Sequence, residues 1–97
     1  MKEIEEFENR GTIQLLLFFL ECGKTKVTDI HINASRTTVY RALSILARME
    51  LIDEERIKPY TRYFQLTGDG RNIARKLKEI ETILEAKKGR QRRQARS

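Results

Sequence analysis

The sequence predicts a mainly α fold with a small β-hairpin, α+β in class, and three observations predict it. Thr12–Cys22 is apolar almost throughout and stops at Gly23. Arg36–Met49 places apolar and polar residues on opposite sides of a helical wheel. Pro59 divides two β-branched and aromatic runs, and Ile73, Leu77, Ile80 and Leu84 then recur at the spacing of one helix stripe.

The first helix is read at Thr12–Cys22, with Ile4 and Phe7 marking an earlier helical turn. Because this helix is apolar around most of its surface, one face is expected in the core and another against a second subunit. Lys24–Val27 suits a short extended segment. Thr28 then offers a cap for a short helix, Asp29–Ile32, with Val27 and Ile32 at the positions of a hydrophobic staple. Ser35 caps the next helix, Arg36 to about Met49, so two helices joined by a few residues make a helix-turn-helix. Glu50–Lys58 and Tyr60–Thr67 form the hairpin, its turn set by Pro59. Thr67 caps a last helix that is long for so small a domain: about twenty residues rise roughly 30 Å.

A chain of 97 residues has room for a single domain. That domain is placed at residues 1–88, its C-terminal helix at about 69–88, with a disordered basic tail at 89–97. Cys22 stands alone, which excludes an intrachain disulfide, fits a reducing cytoplasm and reads as a small buried hydrophobe. Leu15–Leu20 is too short to span a bilayer, so no membrane partner is expected.

Net charge is +6, and its distribution is uneven. Lys87–Ser97 alone carries +6, Lys24–Arg48 carries +4 and Arg56–Arg62 carries +3, while Met1–Gly23 at −3 and Met49–Glu55 at −4 flank the internal basic segments. A polyanionic partner follows from these patches. On the Arg36–Met49 helix, Val39, Leu43 and Leu46 share one side with Ala42 next to them, whereas Thr37, Arg41, Ser44 and Arg48 share the other with Tyr40 at its edge. Hydrogen-bonding groups near a helix N-terminus, with Arg behind them, are what major-groove reading requires. Thr37, Tyr40 and Arg41 are the candidates for base contact, and Ser44 lies on the same face. Ser35, Arg36 and Thr38 sit at the N-terminal turn, where backbone N–H groups favour phosphate. Lys58, Tyr60 and Arg62 are expected to project from the hairpin tip toward flanking duplex.

The run TDIHINASRTTVYRALSILARMELIDEE followed by RYFQLTGDGRNIA resembles the winged helix-turn-helix transcriptional regulators, especially small archaeal ones and their MarR-like and PadR-like relatives. Its specific marks are Ser35–Leu43, Glu50–Ile52 and Tyr63–Arg71, within a match from about Gly11 to Leu84. The resemblance implies a recognition helix beginning at Arg36, a Lys58–Arg62 wing on flanking double-stranded DNA, and a homodimer formed through the terminal helices. Leu16, Phe19, Ile73, Leu77, Ile80 and Leu84 are the candidate dimer residues. The chain departs from the pattern at Met49-Glu50, where many relatives carry a glycine before the Leu-Ile pair.

The chain is therefore read as a sequence-specific DNA-binding regulator. A nonspecific architectural DNA-binding protein and a winged-helix protein adaptor are the alternatives. No nucleophile–base pair, glycine-rich phosphate loop or cluster of metal ligands is present, so no catalysis, cofactor or metal is expected. His31 has no second ligand at metal spacing. Whether a small-molecule effector exists is left open.

Overall fold

The structure, a computed structural model, describes residues 11–58 and 60–96, with side chains as far as residue 89 apart from Lys58. The elements are α1 (Thr12–Cys22), β1 (Thr25–Lys26), a 3₁₀ turn (Val27–Asp29), α2 (Arg36–Arg48), β2 (Ile52–Lys58), β3 (Thr61–Leu66) and α3 (Gly68–Arg96). The strands form an antiparallel three-stranded sheet in the order β1-β3-β2, so the expected hairpin gains an extra strand from the extended segment after α1. Thr25 pairs with Phe64, and on the other side of β3 Ile52 pairs with Leu66 and Glu54 with Phe64. The ladder is irregular between Arg56 and Lys58, close to the tip. The early turn expected around Ile4 and Phe7 and the turn residue Pro59 lie outside the described residues.

The centre of the molecule is α1, packed against α3, α2 and β3. Leu15, Leu16 and Phe19 are buried there with Val39, Leu43 and Leu46 of α2, Ile52 and Phe64 of the sheet, and Ala74 of α3. Leu16 and Phe19, expected at a dimer interface, are 0% and 2% exposed within one protomer. The apolar girth of α1 is thus answered largely by its own chain, which covers it on several sides. Its second apolar face is the one carrying Ile13 and Leu17. Cys22, expected to be buried, is exposed, because it is the last residue of α1 and the chain turns away at Gly23, φ +71°.

The helix expected at Asp29–Ile32 is instead the single 3₁₀ turn Val27–Asp29, entered from Lys26 without a side-chain cap from Thr28. Arg36 explains how so little helix suffices: its guanidinium donates to the Ile30 carbonyl at 3.2 Å and to the Val27 carbonyl at 3.3 Å. The Ile30 carbonyl is thus satisfied by a side chain rather than by another helical turn, and the Val27 carbonyl accepts from Arg36 in addition to the Ile30 N–H at 3.4 Å.

Two expected caps are present. The Ser35 hydroxyl accepts from the Thr38 N–H at 3.2 Å, and the Thr67 hydroxyl accepts from the Gly70 N–H at 3.0 Å. At its far end α2 closes with the Leu51 N–H on the Leu46 carbonyl and the Glu50 N–H on the Ala47 carbonyl, with Glu50 left-handed at φ +61°. This paired-bond ending normally recruits glycine.

The final helix continues through Gly89 to Arg96, past the end expected near residue 88 and into the expected disordered tail. Arg, Gln and Ala are good helix formers, and one internal glycine costs only about 1 kcal/mol relative to alanine.

Candidate nucleic-acid interface

Helix α2 divides its side chains as an interface helix must. Val39, Ala42, Leu43, Ile45 and Leu46 are buried, and they fasten the helix to α1 and the sheet. Thr37, Arg41, Ser44 and Arg48 are exposed on the other side, and Tyr40 is 42% exposed at the edge. The buried face holds α2 in place, so the exposed groups form a fixed array along about three turns.

The N-terminal turn is more constrained than its polar composition suggests. The Ser35 hydroxyl also donates to Thr38 Oγ1 at 2.9 Å, so both hydroxyls hold one another in place. Helix geometry leaves the Arg36 and Thr37 N–H groups at this entrance without an intrahelical acceptor, which makes the position favourable for a phosphate oxygen. Thr38 is half-buried. The Arg36 guanidinium turns back to the Val27–Ile30 turn and lies 5.6 Å from the centre of the Tyr40 ring. It therefore positions the turn and the tyrosine, and its charge reaches the entrance from behind.

The wing is built differently from the expected fringe of outward cations. Tyr60 is 95% exposed at the tip. Arg62 does not project: its Nε donates to the Glu54 carboxylate, and its guanidinium lies 5.3 Å from the centre of the Phe64 ring. Arg56 Nε approaches the same carboxylate at 3.3 Å. Hydrogen bonding from Arg62, opposed by partial burial and aided by Arg56, holds the Glu54 carboxyl below its ordinary pKa. The side chain of Lys58 lies outside the described residues. Tyr63 packs half-buried on the sheet with the Lys24 ammonium 5.5 Å from its ring centre, and Lys24 pairs with Glu55.

The structure thus brings Thr37, Tyr40, Arg41 and Ser44 onto one face of α2, leaves Ser35 at its N-cap, and joins Tyr40 and Ser44 to Arg62 across a groove that also contains Glu54. Sequence reasoning missed Glu54. The alternation of Ile52, Glu54 and Arg56 along β2 carried a signal for it, since Glu54 stands opposite Phe64 in the ladder. Of the candidate dimer residues, Ile73 and Leu77 pack half-buried against the core, while Ile80 and Leu84 are exposed. Ile13 and Leu17, also missed, line a groove with Leu77, Ile80 and Leu84. His31 is exposed, and among the described residues no group of His, Cys, Asp or Glu is arranged to hold a metal ion. No helix among the described residues is long and apolar enough to cross a membrane.

No family model matches the chain, and no curated protein matches it by sequence. Solved structures do. The AF1382 protein of Archaeoglobus fulgidus superposes with a TM-score of 0.67 at 20% identity, over 76% of this chain and 87% of that one. The transcriptional regulator homologue of Pyrococcus horikoshii OT3 gives 0.62 at 15% identity, over 89% and 97%. The adhesin competence repressor AdcR of Streptococcus pyogenes gives 0.71 at 19% identity, over 94% and 73%. At such identities the likeness is one of architecture alone, and this chain shares its winged-helix fold with these three structures.

Proposed function

We propose that this chain is a homodimeric, sequence-specific regulator that binds double-stranded DNA, with α2 in the major groove and the Arg56–Arg62 wing on flanking duplex. The observation that carries the reading is the exposed face of α2, where Thr37, Tyr40, Arg41 and Ser44 stand over a buried face of five apolar residues. Arg41 supplies a planar donor pair suited to guanine, and the hydroxyls and Tyr40 supply shorter-range hydrogen bonds around it. Ser35, Thr38 and the helix entrance orient the phosphate backbone, and Arg36 braces them. Lys58 and Tyr60 contribute from the wing, while Arg62 stays paired with Glu54 and braces the strands behind them. The shared architecture with solved regulators supports the same reading. The protein acts as a binder, not a catalyst, in the compartment that holds DNA, which for a chain with a single thiol is a reducing cytoplasm.

The dimer is formed by the exposed parts of the terminal helices, Ile80 and Leu84 with Leu77 and Ile73 behind them. Ile13 and Leu17 take the places first given to Leu16 and Phe19. Two recognition helices related by a two-fold axis enter successive major grooves about 34 Å apart and select a pseudo-palindromic site.

Selection of bound duplexes from a random pool identifies that site. Arg41→Ala is then expected to weaken binding to it by about 1–3 kcal/mol. Equal affinity of wild type and variant for every selected duplex would take α2 out of the reading role. The arginines after Gly89 favour a second reading, a protein that coats DNA with little sequence preference. Competition with random duplex separates the two, since a regulator prefers its site by about a thousandfold or more.

A further inference from the structure

An apolar strip of the paired terminal helices has no cover within the chain. Ile80, Ile83 and Leu84 of α3 are 52%, 62% and 55% exposed, and Ile13 of α1 is 39% exposed. Ile13 and Leu17 make one wall of a groove whose other wall is Leu77, Ile80 and Leu84. Charge is ordered along this groove. Glu81 and Glu85 come first along α3, Lys87 and Lys88 afterwards, and all four line the groove.

We propose that a second copy of this chain covers the strip, its α3 antiparallel to the first, with the two-fold axis beside Leu84, so that Glu81 of each protomer meets the partner's Lys88. The arrangement rests on the reading of the chain as a homodimer and adds the orientation and register of the pair. Glu81 and Lys88 are seven positions apart, close to two helical turns, so they occupy the same flank of the apolar stripe. A two-fold axis perpendicular to both helices reverses the order of residues along the pair but keeps each flank on its own side. The acid of one helix then lies level with the base of the other, twice over. The midpoint between positions 81 and 88 falls beside Leu84, the most C-terminal apolar residue of the groove. A parallel pair would instead set each Glu81 level with its own copy and each Lys88 likewise. The long stems of Lys87 and Lys88 extend the apolar contact at either end while their ammonium groups stay in water.

The test uses the full chain. Sedimentation equilibrium compares wild type with Glu81→Lys, Lys88→Glu and the double swap. Each single change places like charges together and is expected to weaken self-association by about 3- to 30-fold, because the contact occurs twice and lies at the rim. The double swap is expected to restore it. In a Cys22→Ser background, Leu84→Cys should form a disulfide-linked dimer on mild oxidation. Lys76→Cys should not, since its copies stand on the order of 25 Å apart in this register. Both positions are exposed, so neither thiol disturbs the core. A double swap as weak as the single variants, or cross-linking at position 76 in place of 84, overturns this register while leaving a dimer. A wild-type chain that stays monomeric overturns the dimer reading itself, and this inference with it.

Discussion

Glu50 holds a backbone conformation that a side chain disfavours. Its φ of +61° is imposed by the bond from the Leu51 N–H to the Leu46 carbonyl, which turns the chain out of α2 and into β2. Left-handed backbone costs a non-glycine residue roughly 1–2 kcal/mol, partly offset in glycine by its larger entropy in the unfolded chain. Glu50→Gly is therefore expected to stabilise the fold by about 1 kcal/mol in urea denaturation, and a neutral or destabilising result would mean that the carboxylate has an undetected role. The same joint predicts the opposite sign one helix later. Thr67 donates its hydroxyl to the Glu50 carbonyl at 2.9 Å and its N–H to the Leu51 carbonyl at 3.0 Å, drawing the start of α3 against the turn. A Cβ on Gly70 would sit 1.9 Å from the Leu51 carbonyl oxygen. Gly70→Ala would stabilise an ordinary helix by up to about 1 kcal/mol, yet here overlap with backbone is expected to destabilise by about 1–3 kcal/mol. A rise in thermal stability for this variant would refute the close approach.

At the scale of elements, the wing depends on one carboxylate. Glu54 accepts from Arg62 and Arg56, and its pKa is depressed chiefly by the Arg62 hydrogen bond. A depressed acid adds stability above its unfolded pKa and loses it as pH falls through the folded value. Glu54→Gln should thus lower stability by less than about 1 kcal/mol at neutral pH, given the partly exposed pair. The difference from wild type should vanish in acid, as followed by thermal melts across the carboxylate range; a difference that grows in acid would reverse the assigned sign. Much of this architecture was legible because it is local: the Thr12–Cys22 bounds, the Ser35 and Thr67 caps, and the two faces of α2 are written in spacing and side-chain type. Strand β1 is two residues long, too short for alternation to mark, and exists through its pairing with Phe64 and Tyr63. The 3₁₀ turn was misread as a helix because the group that satisfies the Ile30 carbonyl at its end, Arg36, comes from the next element. Leu16 and Phe19 were assigned to the wrong surface for a related reason. Apolar character identifies a residue that must be covered, whereas only the packing of α1 among α2, α3 and β3 decides which chain covers it.

In the proposed dimer on DNA, three tasks are spread along a molecule 60 Å in its longest dimension. As proposed, base recognition lies with α2 and the wing, self-association with α1 and the middle of α3, and nonspecific charge with the end of α3. After Gly89 the chain carries Arg90, Arg92, Arg93 and Arg96 with no acid, while Lys88 precedes the glycine. Truncation after Gly89 therefore removes four cations and leaves the proposed Glu81–Lys88 contact in place. Each cation that neutralises a phosphate contributes about 0.9 to the slope of log affinity against log salt. If these arginines lie along the duplex, truncation should weaken binding to the selected site and to random duplex by the same factor, and should flatten the salt slope by up to about 3–4 per protomer. Fluorescence anisotropy with both duplexes over a range of salt concentrations measures each quantity. A loss confined to the selected site would give the end of α3 a reading role. An unchanged slope would mean that these arginines stay off the DNA, leaving the attraction to the basic residues of α2 and the wing.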